Sequence, residues 1–192
     1  MSGVADRVIA FEPFPSVRSL MEEKIALNAL ENVQVVPVAL GVADEDLTYF
    51  PGLGTNSGIG TFLPSNAPQQ QVSHTLPVRH GDKLFAERGF PAIDILKVDV
   101  EGFEAYVFRG LKERIERDRP AILTELTPAS RSVFGSEQAW RECFYDGAVF
   151  AAVSGRPNVP GFILSPFDYQ TSEEILILPP EMAEFIASRI TS

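Results

Sequence analysis

The feature that most constrains the fold is an apolar run, Ile93–Val100, followed directly by an amphipathic pattern. The run is apolar apart from Asp94, Lys97 and Asp99, and such a mainly apolar run is expected of a parallel strand that is buried on both faces. In Phe103–Arg117 the apolar residues recur at steps of four, which predicts a helix packed along one side. A strand followed by such a helix is the basic unit of a parallel α/β sheet.

The same alternation of strand and helix patterns runs through most of the chain. Further strands are predicted at Arg7–Glu12, Val33–Leu40, Leu47–Phe50, Thr75–Arg79, Ala121–Leu126, Ala148–Val153 and Ile175–Leu178. Helices are predicted behind Ser16, a candidate N-cap, and at Gly81–Arg88 and Ser136–Tyr145. This order predicts a single α/β domain over residues 1–192, with a mostly parallel sheet and an antiparallel closing strand.

Composition and charge exclude several classes of protein and several kinds of partner. The chain has 192 residues, 45% apolar and 22% charged, which is typical of a globular domain with a substantial core. A formal net charge of −10 would repel phosphate backbones, so we do not expect nucleic acid as a partner. The apolar runs are too short to span a bilayer and no export signal is visible, so we expect no membrane partner and a cytoplasmic location. The single cysteine, Cys143, excludes an internal disulfide, and no metal site is expected.

Acidic residues stand at three of the predicted strand ends. They are Glu12, Asp99 together with Glu101, and Glu125. Ligands of open α/β sheets bind beyond the carboxyl ends of the strands, so these acids and residues 39–41 are predicted to share one crevice. A carboxylate there can accept hydrogen bonds from ribose hydroxyls, deprotonate a substrate hydroxyl, face a cation or bind a divalent metal. Glu12 taken alone is better explained as a surface acid that begins a turn.

Asp99 and Glu101 form the most specific pattern. Two carboxylates at this spacing on a strand point to the same face of the sheet. Gly102 then permits a tight backbone approach at the start of the next helix. The alternative is an acidic first turn that complements the helix dipole, which is the role expected of Glu104.

Three further polar residues are candidates for contacting a substrate. The segment Pro51–Ser73 is rich in Gly, Pro, Ser, Asn and Gln, and a loop of this length in a compact domain is usually functional or mobile. It contains Asn56 and Ser57. Lys97 is a cation in an apolar strand and needs an anionic partner, for which Asp99 and Glu125 are available.

Several short motifs, taken in order, resemble those of FkbM-type methyltransferases. They are Ala10-Phe11-Glu12-Pro13, Val35-Val36-Pro37-Val38-Ala39-Leu40-Gly41, Ile95-Leu96-Lys97-Val98-Asp99-Val100-Glu101-Gly102-Phe103-Glu104, Arg109-Gly110, Arg119-Pro120-Ala121-Ile122-Leu123-Thr124-Glu125 and Ile175-Leu176-Ile177-Leu178-Pro179. Each motif alone is weak, but the ordered set covers nearly the whole chain. The resemblance implies a class I, Rossmann-like methyltransferase fold. It also implies S-adenosylmethionine as methyl donor, with a hydroxyl of a sugar or natural product as acceptor.

The resemblance also implies roles for the strand-end residues. They fall into groups that contact the cofactor (Glu12, Ala39, Leu40, Asp99), assist catalysis (Asp99, Glu101, Glu125) or contact the acceptor (Lys97). Glu12 would bind the ribose hydroxyls, and Ala39 and Leu40 would lie near the adenine. The expected reaction is an in-line displacement, for which the enzyme supplies positioning and some base assistance.

One feature of the family has no counterpart in this sequence. The family begins with a strand and a glycine-rich Asp-x-Gly-Ala-Asn-type loop that cradles the cofactor, and the glycines of residues 52–60 do not replace it. We therefore expect a domain that is truncated at its N-terminus relative to the family. Two apolar strands would lack their shared neighbour, and such edges favour association, so a homodimer is one expected form.

Three hypotheses on function follow from the sequence. The first is an O-methyltransferase acting on a small-molecule or saccharide acceptor, which the four acids favour. The second is a truncated or degenerate methyltransferase fold without activity that acts through association with another chain, which the absent loop favours. The third treats Asp99 and Glu101 as the metal-binding pair of a nucleotide-sugar transferase, which the motifs around Glu12 and Glu125 do not suit.

Overall fold

A computed structural model of the chain describes residues 5–52, 60–66, 72–156 and 159–188. Asn56 and Ser57, two of the predicted substrate contacts, lie outside the described residues. The described residues form an α/β fold with three sheets. In this part of the chain no helix combines the length and the apolar character needed to cross a membrane.

The first sheet consists of two parallel strands, β1 (Val8–Phe11) and β2 (Val33–Val36). Helix α1 (Pro15–Leu27) connects them. The predicted N-cap at Ser16 is wrong, because the helix begins at Pro15 with Phe14 as its N-cap. The fixed φ of proline suits the first turn of a helix, which explains this start.

The middle sheet has the order β3-β5-β4. Its strands are β3 (Ala39–Gly41), β4 (Glu45–Tyr49) and β5 (His74–His80), with β3 parallel and β4 antiparallel to β5. The sequence predicted one continuous strand from Val33 to Leu40, whereas the chain changes sheet at Pro37. Proline has no N–H to donate to a strand ladder, so it ends the pairing of β2.

The large sheet has the order β6-β7-β10-β8-β9. Its strands are β6 (Ile95–Val98), β7 (Ala121–Glu125), β8 (Val149–Arg156), β9 (Val159–Pro166) and β10 (Glu174–Leu178). The β6–β7 pair is parallel and the other pairs are antiparallel, so the predicted antiparallel closing strands are confirmed. Strand β9 was not among the predicted strands, because its segment contains prolines, which an edge strand tolerates.

Six further helices pack around these sheets among the described residues. They are α2 (Gly81–Arg88), α3 (Glu104–Gly110), α4 (Lys112–Asp118), α5 (Pro128–Phe134), α6 (Glu137–Arg141) and α7 (Ala183–Ala187), with 3-10 turns at Pro64–Asn66 and Pro180–Met182. The single helix predicted for Phe103–Arg117 is divided into α3 and α4 at Leu111. Helix α5 was not predicted.

The main core lies between α3, α4 and the strands of all three sheets. Its fully buried side chains include Phe108, Leu111, Ile115, Ile122, Ile175 and Ile177. Trp140 and Cys143 belong to this core. The core therefore holds together sheets that, among the described residues, are not paired with one another.

The first sheet and the large sheet each keep an unpaired edge. Among the described residues neither β1 nor β6 has a strand partner on its second edge. Aromatic side chains of α2 and of the segment before β6 pack against β1. The ring of Phe11 lies 5.8 Å from Phe85 and 6.2 Å from Phe90, and the guanidinium of Arg7 lies 6.0 Å from the Phe90 ring. In this region Ile95 on β6 is 58% exposed.

Candidate functional site

The acids predicted at the ends of β6 and β7 influence one another. Burial, followed by the charges of Asp99 and Glu104, raises the pKa of Glu101. Burial, followed by the charge of Asp99 and then of Glu101, raises the pKa of Glu125. Asp99, Glu101 and Glu125 thus influence one another electrostatically, and we call them the acid cluster.

Glu12 follows β1 and lies partly buried at the edge of the first sheet. Its Oε1 accepts a hydrogen bond of 2.8 Å from the backbone N–H of Phe14. Burial raises the pKa of this carboxyl, while the Phe14 hydrogen bond and the positive charge of Arg18 act in the opposite direction. Its second oxygen makes no hydrogen bond with the described residues and can accept one from a ligand.

Tyr49, at the end of β4, is influenced by the charge of Glu12 and by that of the acid cluster. Burial, followed by the negative charges of Glu12 and then Glu101, raises the pKa of Tyr49 to about 12. The side chain is buried, but its hydroxyl has no hydrogen-bond partner within the described parts of the chain. Sequence reasoning missed this residue because β4 is an antiparallel strand, to which the strand-end rule for ligand binding does not apply.

A tight turn carries the acids that follow β6. The strand ends at Val98, Glu101 has a φ of +51° and Gly102 has a φ of +99°. The prediction that Asp99 and Glu101 share a face of a strand is therefore wrong, because both lie beyond its end. The turn, rather than the alternation of a strand, brings the two carboxylates together.

Glu104 supports this turn from inside the protein. It is only 1% exposed, and its Oε1 accepts hydrogen bonds from the amides of Val100 (3.1 Å) and Gly102 (3.2 Å). Its Oε2 accepts a hydrogen bond of 2.6 Å from the hydroxyl of Ser130 on α5. We expected Glu104 to complement the helix dipole, and it does lie in the first turn of α3. In addition, the structure buries it as a support of the acidic turn.

Lys97 pairs with the acid cluster. Its Nζ lies 2.8 Å from Oδ2 of Asp99, and both side chains are exposed to solvent. Of the two anionic partners considered from the sequence, the structure thus selects Asp99. Glu125 has no ion pair with any of the described residues and keeps its acceptor capacity.

Ala39 and Leu40 lie in β3, and both are buried in the main core. Their neighbour Gly41 contacts α3 closely, because a Cβ added to Gly110 would lie 1.9 Å from the carbonyl oxygen of Gly41. The contact fixes the end of β3 against the helix that follows the acidic turn. The role of Ala39 and Leu40 beside an adenine stays a prediction.

Surface depressions of about 410 and 760 Å³ lie away from these acids. The first is lined by α1 and β2, and the second by α4, α6 and the start of β8. We assign the site from the grouping of charged side chains, because neither depression contains a strand-end acid. Within the described residues no group of three or more His, Cys, Asp or Glu side chains is arranged to hold a metal ion.

The decisive comparison is with protein families. The family model described as "Methyltransferase FkbM domain" matches residues 2–146. The chain belongs to the FkbM methyltransferase family. All the strand-end acids of this FkbM domain lie within the matched residues.

Curated relatives of the FkbM domain include two fungal methyltransferases. Methyltransferase 1 of Beauveria bassiana is 30% identical over 122 residues, which cover 55% of this chain and 49% of that protein. Methyltransferase sdnD of Sordaria araneosa is 29% identical over 137 residues, covering 56% of this chain and 52% of that protein. AMB antimetabolite synthetase AmbE of Pseudomonas aeruginosa is 26% identical over 140 residues, covering 56% of this chain but 6% of that protein. The match thus spans about half of each methyltransferase and a small part of the synthetase.

A solved structure resembles the fold as a whole. The crystal structure of Methyltransferase FkbM from Methylobacillus flagellatus KT matches with a TM-score of 0.52 and 13% identity, covering 90% of this chain and 36% of that chain. At this identity the likeness concerns the fold alone. The predicted Rossmann-like class I methyltransferase fold is confirmed.

Proposed function

We propose that this FkbM domain binds S-adenosylmethionine where β1, β6 and β7 end, and transfers a methyl group to a hydroxyl oxygen of a sugar or natural product. The observation that supports this most is electrostatic. Glu12 from the first sheet and Glu101 from the acid cluster both act on Tyr49, although they belong to different sheets. Carboxylates gathered in this way suit a ligand that carries hydroxyl groups and a positive charge.

The residues present fit part of this cofactor. The partly buried carboxylate of Glu12 has a free acceptor for the ribose hydroxyls, and the Tyr49 hydroxyl can donate a hydrogen bond beside it. The negative charge of the acid cluster suits a sulfonium. The described residues contain no glycine-rich turn between a strand and a helix, so the fit covers the ribose and the charged sulfur only. When bound, the cofactor would supply an electrophilic methyl carbon.

The acid cluster offers bases for the acceptor hydroxyl. Raised pKa values make Glu101 and Glu125 better proton acceptors than ordinary carboxylates. In the proposed reaction Glu101 or Glu125 would accept the proton of the acceptor hydroxyl, and the demethylated cofactor would be the leaving group. Lys97, paired with Asp99, would orient the acceptor, and Asn56 and Ser57 are proposed as further contacts.

Calorimetric titration of S-adenosylmethionine and S-adenosylhomocysteine into the purified chain tests this proposal. In Glu12→Gln the amide oxygen can still accept the hydrogen bond from Phe14, so the fold should persist while the anionic acceptor is lost. We expect affinity about tenfold to a hundredfold lower, as for the loss of a charged hydrogen bond. Glu31→Gln makes the same change at an exposed acid and serves as the matched control.

Two results would contradict the proposal. One is a folded wild-type chain that binds neither compound. The other is equal affinity of Glu12→Gln and Glu31→Gln, which would mean that Glu12 does not contact the ribose. The adenine contacts proposed for Ala39 and Leu40 can be examined by the same titration with adenosine alone.

A second candidate function is association with another chain, with or without catalysis. The unpaired edges of β1 and β6 favour it, because such edges accept an additional strand. The partner would be a second copy of this chain or another protein that contributes a strand.

A further inference from the structure

A short segment, residues 60–63, lies between β4 and the acidic turn. Thr61 forms an antiparallel bridge with Phe50, in which the two residues exchange N–H···O hydrogen bonds of 2.9 Å. The bridge attaches the segment to the end of β4 directly beside Tyr49. The segment therefore has a fixed place next to the proposed site, although it belongs to a loop in the sequence.

Aromatic packing holds the same segment from both sides. The ring of Phe62 lies 5.1 Å from the ring of Tyr49 and 5.0 Å from the ring of Phe103. A Cβ added to Gly60 would lie 1.6 Å from the hydroxyl of Tyr49, so only glycine leaves room for the phenol. Residues 60–63 thus connect Tyr49 to the start of α3.

The hydroxyl of Thr61 makes the contact that reaches the acids. Thr61 is 3% exposed, and its Oγ1 donates a hydrogen bond of 3.0 Å to the carbonyl oxygen of Glu101. The same oxygen accepts a hydrogen bond of 3.0 Å from the N–H of Leu63. The hydroxyl therefore acts as donor to the turn and as acceptor within its own segment.

Thr61 bonds to the residue of the turn whose backbone conformation is least favourable. A φ of +51° is disfavoured for any residue other than glycine, and Glu101 adopts it. Glu104 fixes the amides of Val100 and Gly102 on the inner side, and Thr61 fixes the carbonyl of Glu101 between them. Together these hydrogen bonds determine the direction in which the Glu101 side chain leaves the backbone.

We propose that Thr61 is a positioning residue for Glu101, holding its carboxylate in the orientation that methyl transfer requires. The part of this proposal that concerns methyl transfer rests on the proposed function. The geometric part, that Thr61 sets the conformation of the acidic turn, concerns the protein without any ligand. It is therefore testable whether or not the cofactor binds.

Three variants separate the hydroxyl from the packing of the side chain. Thr61→Val keeps the shape and loses both hydrogen bonds, whereas Thr61→Ser keeps the hydroxyl. Thr124→Val is the matched control. Thr124 is equally buried, and its hydroxyl donates to the carbonyl of Glu125, but it lies within the regular strand β7.

Two measurements by NMR on the unliganded protein report on the turn. The first is hydrogen exchange of the Gly102 amide relative to that of Leu111, whose amide bonds to Val107 within the core helix. In Thr61→Val we expect this ratio to rise about tenfold, the change that loss of one buried hydrogen bond produces. The second is titration of the Glu101 carboxyl, whose pKa should fall toward its ordinary value as the side chain turns to solvent.

Thr61→Ser and Thr124→Val should leave both measurements close to wild type. The proposal is overturned if Thr61→Val leaves the exchange ratio and the pKa of Glu101 unchanged. It is also overturned if Thr61→Ser changes them as much as Thr61→Val, because packing rather than the hydroxyl would then be responsible. A wild-type chain that fails to bind S-adenosylhomocysteine would refute the proposed function and leave these results on Thr61 standing.

Discussion

Tyr49 is influenced by carboxylates that follow strands of two different sheets, which share no strand pairing among the described residues. Burial disfavours the phenolate most, and the negative charges of Glu12 and Glu101 add to this effect, which raises the pKa of Tyr49 to about 12. At neutral pH the hydroxyl therefore keeps its proton and can act as a hydrogen-bond donor. A donor between two acceptors is suited to a ligand rich in hydroxyl groups.

Removing either carboxylate should lower the pKa of Tyr49. In Glu12→Gln and in Glu101→Gln we expect it to move from about 12 toward the ordinary value of 10.0, because the phenolate loses a repelling neighbour. It should stay above that value, since burial is the largest cause of the shift. The titration can be followed by ¹³C NMR of the tyrosine ring, with Tyr49→Phe identifying the signal. Glu31→Gln is the control, and an unchanged pKa in both acid variants would show that the carboxylates do not meet at Tyr49.

The sequence predicted the acids of the site but not the residues around them. Glu12, Glu101 and Glu125 follow apolar strands, and the ends of parallel strands meet at one edge, so their grouping could be predicted. Tyr49 and Thr61 reach the site from an antiparallel strand and from an irregular segment. No periodic pattern reports such a contact, which depends on how the middle sheet packs against the other two.

The elements themselves were predicted best where local chemistry agreed with tertiary packing. The strands β1, β6, β7 and β10 are rich in apolar residues, and all were located from these residues. Pro37 was a visible signal that the chain leaves β2, but the apolar residues around it obscured the break. The division of α3 from α4 comes directly after Gly110, which approaches Gly41 closely. The apolar residues at steps of four continue across this point, so the periodic pattern predicted one helix.

Gly110 is the position at which an added methyl group should be most disruptive to this packing. In Gly110→Ala the Cβ would lie 1.9 Å from the backbone oxygen of Gly41, so α3 or β3 must move. We expect a loss of at least about 2 kcal/mol in the free energy of unfolding, measured with urea. Gly155→Ala is the matched control, because a Cβ there meets nothing within 4 Å, and it should change stability by less than about 0.5 kcal/mol. Equal stability of the two variants would show that α3 does not depend on this contact.

At the scale of the whole molecule, two tendencies oppose each other. A net charge of −10 keeps copies of the chain apart, whereas the unpaired edges of β1 and β6 favour pairing. Salt screens the repulsion between the charged copies and leaves the pairing of strand edges largely unaffected. Association should therefore increase with ionic strength.

Ile95 on the open edge of β6 offers a direct test of association. It is 58% exposed, and a lysine there should block edge-to-edge pairing, so Ile95→Lys should lower the average mass measured by light scattering. Leu27→Lys is the control, because Leu27 is 77% exposed but lies on helix α1. A wild-type chain that is strictly monomeric at micromolar concentration and high salt would contradict association through these edges, as would an equal effect of the two substitutions.

Glu101 has a left-handed backbone, so stability and activity favour different residues at this position. Glycine would adopt a φ of +51° freely, whereas glutamate does so at a cost of roughly 1–2 kcal/mol. Glycine would also remove one of the mutually repelling charges around Glu125. Evolution in the laboratory under selection for heat resistance alone should therefore favour Glu101→Gly. On the proposed chemistry, the selected variants would be more stable but would lose the ability to transfer methyl groups.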